Sequence, residues 1–270
     1  MPTAGQKMMN KIKKYVEIGR ELISSLLFPA RCPVCDEILE PEEKEKGIHS
    51  ACKNKLYPIL GAVCMHCGRP LGVDNPSKVE SEYENTREYC YDCVSKGYDR
   101  GSNIRQAKAL YLYKGAVKTS MYRFKYSNKR EYAAFFAKQA AGRYGPWMRR
   151  MGIDVIVPVP MYSIKQKKRG YNQAECFAKE ISKCTAIPTN ENLVCRTIDT
   201  APQKGLGAQQ RKNNLKNAFQ SGKNVVQYNC AMVVDDIYTT GSTAEAVAQE
   251  LIKQGTHRVY LMTVCIGGDM

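Results

Sequence analysis

Eight residues clustered between positions 32 and 93 restrict what this chain can fold into more than any other feature. They form three C-x-x-C pairs, Cys32/Cys35, Cys64/Cys67 and Cys90/Cys93, and a fourth pair, His49-Ser-Ala-Cys52, in which an imidazole stands where a thiolate would. A tetrahedral Zn²⁺ takes four nitrogen or sulfur ligands, and two such knuckles supply two each. The spacing predicts two structural zinc sites, Cys32, Cys35, His49 and Cys52 in one and Cys64, Cys67, Cys90 and Cys93 in the other, because joining consecutive knuckles keeps each connecting loop short. Interleaved pairing is the alternative. With every position filled by protein, neither metal keeps a place for water, so no catalytic role is expected of it. Gly68 reads as part of a tight turn around the metal and His66 as a loop residue. Cys176, Cys184, Cys195, Cys230 and Cys265 read as plain core or surface residues.

The 270 residues suffice for this small module and one medium domain, and 43% hydrophobic with 25% charged residues is ordinary soluble usage. The expected division is an amphipathic N-terminal helix over 1–27, the double zinc ribbon over 28–100, and the main domain over 101–270. The helix expectation rests on Met8, Ile12, Tyr15, Val16, Ile18, Leu22, Ile23 and Leu26 at helical intervals. In the main domain, strands are expected at 109–113, 153–157, 192–195, 231–234 and 258–264, and helices at 114–126, 130–151, 170–184 and 242–254. Apolar strands alternating with helices predict an α/β fold with a mostly parallel sheet covered on both faces, its ligands at the C-terminal strand ends. No apolar stretch reaches the ~18 residues a membrane span needs, and the N-terminus lacks a compact apolar segment followed by a cleavage site, so a cytoplasmic protein is expected. Lys and Arg number 41 against 26 Asp and Glu, and the net charge of +15 predicts attraction to polyanions.

One strand end carries the chemistry: Val233-Val-Asp-Asp-Ile-Tyr-Thr-Thr-Gly-Ser-Thr243, followed directly by a helix. Two adjacent carboxylates at a strand tip, Asp235 and Asp236, can accept hydrogen bonds from the vicinal hydroxyls of a ribose. Thr239, Thr240, Gly241, Ser242 and Thr243 form a hydroxyl-rich turn whose backbone N–H groups, with the first turn of the following helix, can hold a phosphate. An N-capped helix after a strand would need the hydroxyls but neither acid.

This strand, acid pair and T-T-G-S-T turn resembles the phosphoribosyl pyrophosphate motif of type I phosphoribosyltransferases. With the double zinc ribbon ahead of it, the chain from about residue 28 to residue 264 resembles the ComF (competence protein F) family. Further matches are Pro158-Val-Pro160, Arg169-Gly-Tyr-Asn-Gln173 and the pattern Gln203, Gln209, Arg211, Asn214, Phe219. His49 replaces the family's usual cysteine and preserves a ligand. The resemblance implies a type I phosphoribosyltransferase-like sheet, with Asp235 and Asp236 on the ribose 2′ and 3′ hydroxyls and residues 239–243 on the 5-phosphate. It implies that the turn Pro158, Val159, Pro160, Met161 presents backbone amides to the pyrophosphate, aided by Arg169 and Asn172. The basic stretch 196–220 corresponds to a loop that closes over the reacting centre, with Arg211 as its cation.

On this resemblance the chain binds phosphoribosyl pyrophosphate with Mg²⁺, and as an enzyme it would displace pyrophosphate from C1 of the ribose by a nitrogen nucleophile whose identity no residue reveals. The family further implies handling of single-stranded DNA during natural transformation, with DNA-uptake or recombination proteins as partners. The basic-aromatic stretch Tyr122-Arg-Phe-Lys-Tyr-Ser-Asn-Lys-Arg130 suits that role if its rings face outward, and suits a core-facing helix if they do not. A phosphoribosyltransferase of nucleotide salvage with no DNA role is the alternative.

Overall fold

The computed structural model describes residues 8–9, 29–71, 88–95, 101–198, 215, 218–222 and 226–267. Of the expected N-terminal helix only Met8 and Met9 are among these; the rest of it, Arg211 and most of the stretch 196–220 lie outside the described residues. The N-terminal module has three short helices, α1 (Pro41–Lys44), α2 (Ser50–Lys53) and α3 (Tyr91–Ser95). The remainder runs β1 (Ile104–Leu112), α4 (Gly115–Tyr126), α5 (Tyr132–Met151), β2 (Val155–Pro158), α6 (Ser163–Arg169), α7 (Gln173–Thr185), β3 (Val194–Arg196), β4 (Phe219–Ser221), β5 (Cys230–Tyr238), α8 (Ser242–Lys253) and β6 (Arg258–Ile266).

Four strands form one wholly parallel sheet in the order β1-β6-β5-β2. Alternation along the strands sorts their side chains between two cores. Ile156, Met232, Val234, Met262 and Val264 pack under α4, α5 and α7, where Phe124, Phe136 and Phe177 are fully buried. Val157, Val233, Val259 and Leu261 face the other way, against Val247, Ala248 and Leu251 of α8. The expected α/β class, with a parallel sheet covered on both faces, is the one observed.

Three local expectations change. The strand expected at 192–195 is not in this sheet: β3 pairs antiparallel with β4 in a separate two-stranded sheet. Helix α6 has no buried residue, so its lysines carry no apolar period by which a helix could be read. Strand β5 is longer than the apolar run 231–234, and Asp235 and Asp236 lie inside it. It is carried on by β6, which pairs beside it to Ile266, whereas β2 stops with Pro158 opposite Val234. The acids thus stand beyond the end of β2, on the side where the sheet opens into a cleft.

The knuckle module is not held apart. Cys32, Val34, Leu39 and Leu56 belong to the same buried cluster as α4 and α5. Among the described residues, no helix is long and apolar enough to cross a membrane.

Candidate functional site

The knuckles pair consecutively, closing the alternative left open by spacing. One ligand atom from each of Cys32, Cys35, His49 and Cys52 lies within 4.8 Å of the others, and the same holds for Cys64, Cys67, Cys90 and Cys93. Each first knuckle is a small hairpin. Asp36 N–H donates to the Cys32 carbonyl and Cys32 N–H to Glu37, both at 2.9 Å, and Gly68 and Cys64 repeat the pattern at 3.0 and 2.7 Å. The residue after the second cysteine is left-handed in both, φ 71° at Asp36 and 74° at Gly68. Only glycine fits the second position, because a Cβ there would lie 2.7 Å from the Ala107 carbonyl oxygen of β1.

The donor sets fit zinc. His49 directs Nδ1 toward Cys35 Sγ at 3.2 Å, and Nε2–H donates to the Ile38 carbonyl at 3.1 Å, the outer contact that orients a metal-binding imidazole. Cys67 and Cys90 sulfurs are 3.6 Å apart, near the ~3.8 Å edge of a tetrahedron with 2.3 Å Zn–S bonds. Burial alone would push the Cys32 thiol up, but N–H groups of Cys35, His49 and Val34 aimed at it hold it lower, at about 7, favouring the ligating thiolate. Both sites are structural, closed by four protein ligands each.

Each zinc site is hydrogen-bonded to helices of the main domain. At the first, Arg123 of α4 donates to the Val34 carbonyl at 3.0 Å, and Asp36 accepts from Lys129 and Tyr132, both at 2.7 Å. At the second, His66 contacts Cys93 Sγ through Nδ1 at 3.5 Å and Ser102 Oγ through Nε2 at 3.0 Å. The Ser102 hydroxyl donates to Glu245 at 3.1 Å, and Asn103 donates to the same carboxylate through backbone and side chain, both at 2.7 Å. Glu245 sits in the first turn of α8, the helix that begins at the threonine turn. His66 is therefore more than a loop residue, a role invisible in sequence because its partners are distant along the chain.

In the turn itself, Gly241 is the N-cap with φ 78° and has no side chain to cap α8, and Ser242 N–H reaches the Thr240 hydroxyl at 3.5 Å. A Cβ on Gly241 would meet the Tyr238 hydroxyl at 2.8 Å. Thr240 and Ser242 hydroxyls bond each other at 2.9 Å. Beneath the turn, Thr263 lies opposite Asp235, and its buried hydroxyl has no hydrogen-bond partner among the described residues. It lines a small cleft with Asp235, Thr239, Gly241 and Ser242.

A cavity of about 320 Å³ adjoins the acids, lined among others by Asp235, Asp236, Thr243, Pro160, Met161 and Arg169. Asp236 N–H donates to the Asp235 carboxylate at 2.8 Å. Burial, and then the charge of Asp236, pushes the Asp235 carboxyl up to about 7. Lys125 of α4 pairs with Asp236 at 2.9 Å. Burial would lower this lysine, but Asp236 and then Asp235 hold it above its ordinary value.

The first three residues of the turn after β2 offer no free amide. Pro158 and Pro160 have no N–H, and Val159 N–H donates to the Val234 carbonyl at 2.9 Å. Asn172 caps α7 by accepting from Ala174 N–H and donates its amide to the Val159 carbonyl at 2.9 Å, so it holds the turn in place. Arg169 lines the cavity, bonds Gln173 at 2.6 Å, and lies 5.0 Å over the Tyr126 ring. A larger cleft, about 720 Å³, separates the second zinc knuckle from α8 and is lined by Arg69, Ser102, Tyr238 and Glu245.

Residues 23–94 match the family described as the double zinc ribbon domain. The chain is 29% identical to competence protein F of Haemophilus influenzae (strain Rd) over 80% of its length and 88% of the relative. It is 31% identical to the DNA utilization protein YhgH of Escherichia coli (strain K12) over 81% of its length and 96% of the relative. A purine phosphoribosyltransferase from Pyrococcus horikoshii Ot3 superposes on 49% of this chain and 74% of its own with a TM-score of 0.33 and 16% identity, a likeness too slight to add to what the sheet itself shows. The zinc knuckles, the parallel sheet and the similarity to these relatives over four fifths of the chain agree, and the chain belongs to the ComF family, that of competence protein F and YhgH.

Proposed function

We propose that this protein binds phosphoribosyl pyrophosphate with Mg²⁺ and serves DNA uptake. The observation that carries the ligand is the meeting of two adjacent carboxylates and a cationic wall on one cavity, beside a small cleft lined by the glycine-bearing turn that shares Asp235 and Thr243 with it. Asp235 and Asp236 accept from the ribose hydroxyls. The Thr239–Thr243 turn and the start of α8 take the 5-phosphate, with the orphan Thr263 hydroxyl beneath. The turn Pro158–Pro160, short of free amides, shapes the pyrophosphate side, and Arg169 supplies charge there. Mg²⁺ beside a diphosphate neutralises it and needs few protein ligands. Arg211 would add its charge from the stretch between β3 and β4. As an enzyme the protein would transfer the phosphoribosyl group to a nitrogen nucleophile.

Calorimetric titration of the full chain with phosphoribosyl pyrophosphate and Mg²⁺ tests the ligand. Saturable one-to-one binding, weakened by Asp236→Asn, is expected, and absence of heat at millimolar ligand refutes it.

A second observation favours contact with single-stranded DNA, in keeping with the names of the relatives. Phe124 is buried, but Tyr122 and Tyr126 on the same helix are 63% and 62% exposed, their ring centroids 5.0 Å apart. With Arg169 over Tyr126 they form an exposed stacking surface at the mouth of the acid cavity. Labelled single strands titrated at two salt concentrations should bind with a steep salt slope. No binding at low salt removes the DNA role and leaves nucleotide salvage.

A further inference from the structure

The cavity has a wall that the sequence motifs do not reach, and Lys125 stands on it. In sequence this lysine sits among the cations and aromatics of a stretch suited to a DNA backbone, but in the fold it turns away from Tyr122 and Tyr126 and enters the acid cavity. We propose that Lys125 is a ligand-binding residue for the pyrophosphate of the sugar ligand, and that its ion pair with Asp236 is the resting contact that holds the empty site in shape. The inference rests on the ligand reading above and adds to it the group that recognises the diphosphate.

A diphosphate carries several negative charges, and a turn that binds it through backbone amides must have amides to offer. Here Pro158 and Pro160 have none and Val159 gives its own to β5, so of the four turn residues only Met161 has an N–H left to offer, and side-chain cations must carry the rest of the charge. Lys125 lines the same cavity as Pro160, Met161 and Arg169.

Lys125 is also held in place before any ligand arrives. The last turn of α4 is anchored from two directions. The Phe124 carbonyl accepts from the Tyr171 hydroxyl and from the Gln173 amide, the two residues flanking Asn172 ahead of α7. Arg123 is bonded to the first zinc knuckle, and just beyond the helix Lys129 and Tyr132 are bonded to Asp36 of the same knuckle. An ammonium delivered by so fixed a backbone loses little freedom on meeting its ligand.

The Lys125 and Asp236 side chains are 22% and 14% exposed, so removing either leaves a charge with little water. When ribose hydroxyls donate to Asp236, the carboxylate gains neutral partners and its lysine can face the diphosphate without leaving a bare acid behind.

The test is calorimetry of the full-length chain with three probes: phosphoribosyl pyrophosphate with Mg²⁺, inorganic pyrophosphate with Mg²⁺, and ribose 5-phosphate. Lys125→Met should weaken the first two about 10- to 100-fold and change ribose 5-phosphate by less than about threefold. Lys125→Arg should keep most of the affinity, and Lys125→Gln replaces the methionine variant if that one does not fold. Wild-type affinity for pyrophosphate in the Met or Gln variant overturns the inference, as does an equal loss for all three probes, which would mark a purely structural lysine. If the wild type binds none of the probes, the ligand reading itself falls, an outcome distinct from either.

Discussion

Glu245 joins the second zinc knuckle to the helix under the threonine turn, and its removal has a calculable effect. Its carboxylate accepts three hydrogen bonds, from Asn103 N–H and Nδ2–H at 2.7 Å each and from the Ser102 hydroxyl at 3.1 Å. A buried hydrogen bond to a charged group contributes about 1.5–3 kcal/mol net, and these part-buried ones about half that each, so Glu245→Ala should destabilise by about 2–4 kcal/mol. For a chain of this size that corresponds to roughly 5–12 °C in melting temperature. Glu245→Gln keeps a carbonyl acceptor for Asn103 and loses only the charge and one bond, so about 1 kcal/mol is expected. Urea unfolding of the zinc-loaded protein, followed by tryptophan fluorescence, measures both, since Trp147 is the single tryptophan and packs on Tyr260 of β6. Metal content should stay unchanged in both variants, because Glu245 touches no ligand. A loss below 0.5 kcal/mol in the alanine variant would refute the reasoning, as would equal losses in the two variants.

Two further outcomes follow from the site geometry. Cys90→Ser should lower bound zinc from two ions per chain to one by elemental analysis, because the two ligand clusters share no residue; loss of both metals would contradict independent sites. For Asp235, the carboxyl is raised to about 7 from an unfolded value near 4. The folded state therefore holds a proton the unfolded state has released, so stability attributable to this group is present below pH ~4 and lost as pH rises to 7. Asp235→Asn should become more stable relative to wild type across that window, by at most ~4 kcal/mol, read as the difference between two urea series; a constant difference would show an unperturbed carboxyl.

Sequence alone determined what is local along the chain. Ligand pairs with two residues between them declare a metal knuckle, and a strand, two acids and a threonine turn fall within eleven residues. Their chemistry survives any packing that keeps the neighbours together, which is why both zinc clusters and the acid-and-turn constellation were legible in advance. The extent of β5 was not, because its polar end is strand only through the ladder with β6. Only tertiary structure decided what crosses long separations: Lys125 opposite Asp236, and Ser102 bonded to Glu245 across 143 positions. It decided too that Val159 gives its amide to the sheet, as a donor to the Val234 carbonyl. A side chain's type states which bonds it can make, and only the packed backbone selects which of them it does make.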